Sequence, residues 1–136
     1  LHAFKAATRG MPTHIHHGSY RHREGYKGAI ALLQEGVTAL IAGDSMMTAG
    51  ALEACHNAGK RIGEEIALVG FDDFIYLRFQ PSPISVVDQD VARMGETATA
   101  KLITAINDKH QPEGEVLETR YIPRMSTAHQ LDGATP

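Results

Sequence analysis

Four short clusters in this 136-residue sequence carry side chains suited to holding a small polar molecule: Gly18-Ser19-Tyr20, Gly43-Asp44-Ser45, Gly70-Phe71-Asp72-Asp73 and Asp88-Gln89-Asp90. An ionised carboxylate offers two acceptor oxygens, which suit adjacent hydroxyls of a sugar. An aromatic face suits the apolar side of a pyranose or a flat base. Each residue also has a plain alternative role. Asp44 and Asp90 can be no more than helix caps, Asp72 and Asp73 can end a strand in solvent, and Tyr20 can belong to a core. What favours a pocket is position: the clusters fall at the ends of four successive strand-like segments, where an open parallel sheet places its ligands.

Those segments alternate with helical patterns, as repeated strand-helix units of a mostly parallel sheet do. Leu1 to Thr8 reads as an amphipathic helix with no capping residue ahead of it, so the chain is expected to begin inside something larger. His14 to Gly18 has weak strand alternation. Gly25 to Gln34 puts Tyr26, Ala29, Ile30 and Leu33 on one helical face. Val37 to Ala42 predicts a buried strand. Met46 to Ala58 predicts a helix, with Asp44 or Ser45 as N-cap and Gly59 at the C-terminal cap. Ile66 to Val69 and Ile84 to Val87 predict two further buried strands, joined by a loop holding Pro81 and Pro83. Asp90 can cap a helix from Val91 to Asn107 whose Val91, Met94, Ala98, Leu102 and Ile106 form one apolar stripe. Val116 to Ile122 reads as an edge strand, and the small, polar stretch from His129 to Pro136 as a disordered tail.

Composition narrows the function classes. The chain is 43% hydrophobic and 21% charged, ordinary for one globular domain, and its longest apolar runs are strand-sized, so no membrane span is predicted. A net charge of -3 leaves no broad basic surface for gripping phosphates, and this polypeptide alone should not bind DNA strongly. The single cysteine, Cys55, fits a reducing compartment and points to the cytoplasm. It sits mid-helix on the apolar face, where a cysteine behaves as a small hydrophobe and not as a nucleophile. Magnesium-dependent phosphoryl transfer would use Asp44, Asp72 and Asp73, yet the next strand end has Asp88-Gln89 where a phosphate-balancing lysine is expected. No Gly-x-Gly-x-x-Gly follows a strand, which argues against a dinucleotide enzyme. Among eight histidines, His14, His16, His17 and His22 lie close enough in sequence to bind a transition metal, but no carboxylate or cysteine at regular spacing completes a set. Neither cofactor nor metal is predicted, and no catalytic residue.

The ordered series of motifs carries a resemblance. ALIAGDSMMTAGALEACHNAGKRIGEEIALVGFDDF, from Ala39 to Phe74, followed by PSPISVVDQDVARMG up to Gly95, resembles the effector-binding domain of LacI/GalR-type bacterial transcription regulators. HGSYRHREGYKGAIALL, from His17 to Leu33, and the closing RYIPRMSTA fit the same pattern, so the resemblance covers nearly the whole chain. It implies a three-layer Rossmann-like α/β fold with helices on both faces of a parallel sheet, one lobe of a type I periplasmic-binding-protein-like architecture. It also implies roles: Tyr20 stacks on the effector, Asp44 and Asp72 hold its hydroxyls, and Gln89 borders pocket and hinge. Relatives often have an Asn-Asp pair where this chain has Asp44-Ser45, which removes a donor, adds charge and predicts a different ligand preference. The family's ligand-binding arginine would fall just before Leu1, outside this sequence.

By the same resemblance, residues 1–90 and about 117–127 form the C-terminal lobe. Residues 91–112 are a crossover helix belonging to the N-terminal lobe of a larger protein, and 128–136 are a tail. The apolar stripe from Val91 to Ile106 must then find another partner, by self-association or by folding back on the chain's own sheet. The implied partners are a sugar-like effector, operator DNA through a helix-turn-helix segment ahead of this chain, and a second copy in a homodimer. A periplasmic sugar-binding protein of a transport system shares the fold and is the competing expectation. A signal peptide upstream would favour it, and a helix-turn-helix would favour the regulator.

Overall fold

The computed structural model describes residues 1–109 and 111–131. Three parallel strands and one antiparallel strand form a sheet in the order β1 (Ala39–Ile41), β2 (Ala67–Phe71), β3 (Ser85–Asp88), β4 (Arg120–Ile122). Each parallel connection runs through a helix or turn. Between β1 and β2 lies α3 (Ser45–Asn57), and between β2 and β3 the short α4 (Ile75–Arg78). Ahead of β1 come α1 (His2–Ala7) and α2 (His22–Gln34), and after β3 come α5 (Val91–Asp108), β4 and α6 (Met125–Leu131).

Strand alternation sorts the two faces. Leu40 pairs with Leu68 and Gly70 with Val86, and these positions turn to α3, where Ala51, Ala54 and Cys55 complete a buried cluster with Ile66, Leu77 and Ile84. α2 forms a further layer on α3, and two glycines set how close the helices come. A Cβ on Gly25 would lie 2.5 Å from the Met47 Cα, and one on Gly50 would collide with the His22 carbonyl oxygen. On the opposite face the Val69/Ser85 pair meets α6. There the Ser126 hydroxyl donates to the Leu68 carbonyl at 2.6 Å and accepts from the Ser85 N–H at 2.8 Å, satisfying two backbone groups at the start of the ladder. Helices therefore cover both faces, and the expected three-layer α/β fold is present.

Several sequence expectations are corrected. His14 to Gly18 forms no strand: its only large apolar residue is Ile15, which leaves neither face anything to bury, and the His16 ring lies against Gly28 of α2 instead. Of the expected edge strand from Val116, only Arg120–Ile122 pairs, since Val116 is fully exposed and has no partner strand. The expected tail is partly helix, because α6 continues to Leu131, anchored by Ser126 and Thr127; residues 132–136 lie outside those described. α4 was not foreseen, and it carries the buried Leu77 into the core. The α5 helix and its Asp90 cap are as expected. Its stripe does not fold back on the sheet, however. Val91, Met94, Leu102 and Ile106 are exposed, and α5 buries none of its residues.

Candidate ligand-binding site

Three consecutive strand ends deliver the candidate residues to one edge of the sheet. β1 leads into Asp44, β2 into Asp72 and Asp73, and β3 into Gln89 and Asp90. Asp44 caps α3: one carboxylate oxygen accepts from the backbone N–H of Met46 at 2.8 Å and of Met47 at 3.2 Å. One turn on, the buried Thr48 hydroxyl donates to the Asp44 carbonyl at 2.8 Å and accepts from the Phe71 N–H at 2.9 Å. A single hydroxyl thus locks the start of α3 to the end of β2 and sets the spacing of Asp44 and Asp72.

Asp72 is 9% exposed and adopts φ +60°, the left-handed region that non-glycine residues visit rarely. Its N–H donates to the Val87 carbonyl at 2.9 Å, and its Oδ1 accepts from the Gln89 side-chain amide at 2.9 Å. The second oxygens of Asp72 and Asp44 accept no hydrogen bond among the described residues, and no buried side-chain polar atom there lacks a partner, so both oxygens reach the surface. Beside them, Asp90 also adopts a left-handed conformation while capping α5 through the Arg93 N–H at 3.2 Å.

Asp73 points elsewhere. Its carboxylate is clamped by Arg124 at 2.7 Å and Arg78 at 2.8 Å. Burial alone would raise its pKa, but hydrogen bonds and charge from the two guanidiniums outweigh burial and hold it below the usual carboxylate value. Burial, with a smaller contribution from the Asp72 charge, raises the Tyr76 phenol.

The structure therefore joins Asp72 to Gln89 directly, sets Asp44 on the neighbouring strand end, and places Tyr20 in the segment ahead of α2. Tyr20 is 77% exposed just before α2, with no hydrogen bond or ring contact to the other three, so the core alternative for Tyr20 is excluded. Asp44 and Asp90 do act as caps, and Asp72 and Asp73 end β2 largely buried and hydrogen-bonded, with one Asp72 oxygen at the surface. The bond from Gln89 to Asp72 and the clamp on Asp73 were missed from sequence. The only trace of the clamp was Arg124 within RYIPRMSTA.

Of the four candidate residues, Asp44, Asp72 and Gln89 stand along one open ledge at the strand ends, and Tyr20 lies in the segment ahead of α2. Two depressions of about 420 Å³ each are lined by Asp73, Arg78 and Arg120 to Arg124 and, separately, by Ile62 to Glu64, Pro81, Ser82, Met125 and Ala128. Neither includes any of the four. Among the described residues no three His, Cys, Asp or Glu side chains gather as a metal site. Cys55 is fully buried and its thiol is pushed up to about 11 by burial, so it remains a protonated core residue at neutral pH.

A mostly parallel sheet with hydrogen-bonding groups at consecutive strand ends is the arrangement at which open α/β sheets generally hold their ligands. The sequence profile of the periplasmic binding protein-like domain matches residues 2–127. The chain is 30% identical over 115 residues to the HTH-type transcriptional regulator MalR of Streptomyces coelicolor, covering 84% of this chain and 33% of MalR. It is 31% identical over 129 residues to the transcriptional repressor MelR of Bacillus subtilis, covering 93% and 37%. A solved probable LacI family transcriptional regulator from Corynebacterium glutamicum superposes with a TM-score of 0.79 at 34% identity, over 92% of this chain and 45% of that one. The chain belongs to the periplasmic binding protein-like domain family and corresponds to part of the effector-binding domain of LacI/GalR-type regulators. It spans about a third of the length of the curated relatives it matches. No helix among the described residues is long and apolar enough to cross a membrane.

Proposed function

We propose that this chain is the effector-sensing part of a bacterial, cytoplasmic transcription regulator, and that its ledge forms one wall of a pocket for a sugar or related small polar ligand. The observation that carries the reading is the Asp72–Gln89 pair with Asp44 on the adjacent strand end, because it leaves two carboxylate oxygens facing outward on a rigid edge. Adjacent acceptors of this kind match adjacent hydroxyls. Tyr20, exposed and without a side-chain hydrogen bond among the described residues, could cover a ring face. A LacI-type relative, the regulator CelR, has been solved with cellobiose; it superposes with a TM-score of 0.77 at 28% identity.

In this reading the opposite wall comes from a second lobe to which α5 crosses, as residues 91–112 do in the sequence expectation, while residues 1–90 and about 117–127 form the present lobe. Operator DNA is bound through a separate helix-turn-helix segment, and two copies form a homodimer. Effector binding shifts the balance between lobe arrangements and so changes the affinity for DNA. The competing reading is a periplasmic binding protein of a transport system. The matched regulators favour the first.

The test is a thermal-shift screen of the complete protein against cellobiose, lactose, maltose and ribose, followed by operator-release assays with any sugar that raises the melting temperature. A stabilising sugar should release operator, and Asp72→Ala should abolish release while leaving operator affinity intact. Release that survives Asp72→Ala unchanged would refute the site.

A further inference from the structure

We propose that Arg124 is a positioning residue for the ledge: by clamping Asp73 it holds the preceding residue, Asp72, in the left-handed conformation that presents its carboxylate to Gln89 and to a ligand. The proposal rests on the sensing role of Asp72 for its functional meaning, while its structural content stands on the following geometry.

Arg124 has a rigid footing. Its backbone N–H donates to the Ser85 hydroxyl at 2.8 Å, its carbonyl accepts from the same hydroxyl at 3.1 Å, and its Nη1 donates to the Ile84 carbonyl at 2.8 Å. Ser85 in turn is held by Thr127 at 2.7 Å. From this platform, at the opposite end of β3 from Gln89, the Nη2 reaches Asp73 Oδ1 at 2.7 Å, while Arg78 closes on Oδ2 at 2.8 Å. The Arg124 and Asp73 side chains are 16% and 12% exposed, so the pair is shielded from water and strongly directional.

Asp72 needs such a hold because a positive φ is disfavoured for a residue with a Cβ. On one side its N–H is fixed to the Val87 carbonyl, and on the other the next residue is fixed by Arg124. With Asp73 released, the backbone at Asp72 can relax to negative φ, and the carboxylate swings away from Gln89. A purely structural role, neutralising the charge of Asp73, would leave the Gln89 bond untouched. The two roles therefore differ in what happens at a residue that Arg124 does not contact.

The experiment uses the complete protein with selectively labelled glutamine. In the wild type the Gln89 side-chain amide should resonate away from its free-amide position and exchange slowly with water. Arg124→Met should bring it to the free position and speed exchange about tenfold, with Arg124→Lys in between. Should Arg124→Met fail to fold, Asp73→Asn keeps the shape of the site, weakens both clamp bonds and should move the same signal. A folded variant of either kind with an unchanged Gln89 signal would overturn the proposal. If the signal moves but Asp72→Ala leaves effector response intact, the clamp stands and the sensing reading falls.

Discussion

The sheet and the α5 helix are built from similar apolar residues, yet they end in opposite states. Around β2 and β3, Leu68, Leu77, Ile84 and Val86 are fully buried, and backbone groups at the start of the ladder are met by side chains such as Ser126. Along α5, an apolar stripe has no buried residue, and Lys101 ties the helix to the following segment through Glu115 and the Glu113 carbonyl. The apolar pattern forms the secondary structure in both settings. Only burial turns it into stability, and α5 gains none from the rest of this chain.

The largest expected effect sharpens that contrast. Leu68→Ala should lower unfolding free energy by about 2–5 kcal/mol, whereas Leu102→Ala in α5 should change it by no more than about 0.5 kcal/mol; urea denaturation of this chain compares them. Equal losses would mean that α5 is packed in solution. Next comes Ser126→Ala, which strands the Leu68 carbonyl and the Ser85 N–H. A cost of about 1–3 kcal/mol is expected, and a neutral result would break the view that polar satisfaction anchors the sheet. Asp44→Ala should remove the α3 cap at a cost of about 1 kcal/mol, read by the same denaturation series.

The smallest effect is a dependence on pH. Asp73 has a folded pKa below its unfolded value, so at low pH the unfolded state binds more protons at this group. Its contribution to stability is present above the unfolded value, near about 3.9, and is lost as pH falls through the folded one. Thermal melts from pH 6 down to 2 should show a fall in stability that is shallower in Asp73→Asn. Identical slopes would show that the clamp does not couple to folding.

Much of this organisation was legible in the sequence, for local reasons. Asp44 and Asp90 announce helix starts because a short acceptor satisfies backbone donors within its own turn, and Gly59 announces a stop because it takes φ +66° freely. β2 and β3 stand out as apolar runs and are buried, whereas the run from Val37 to Ala42 yields only the short β1, Ala39–Ile41, of which Leu40 alone is buried while Ala39 and Ile41 are exposed, so an apolar run by itself does not guarantee cover. His14 to Gly18 misled because alternation is only a pattern; without apolar residues to bury, it makes no strand. α6 was hidden because what fixes it is Ser126 and Thr127 reaching Leu68 and Ser85, about forty to sixty positions away, which no local signal records.

The same division holds at the ledge. The sequence by itself determined which acidic and amide groups stand at the strand ends, since the alternation of strand and helix dictates where loops fall in a parallel sheet. Only the tertiary structure decided what each group does there. Asp72 and Asp73 are chemically identical neighbours, but the left-handed turn at Asp72 sends one carboxylate to Gln89 and the open edge and the other to two arginines. A side chain's type is written in the chain, while its direction and its partner follow from the backbone conformation imposed by distant contacts.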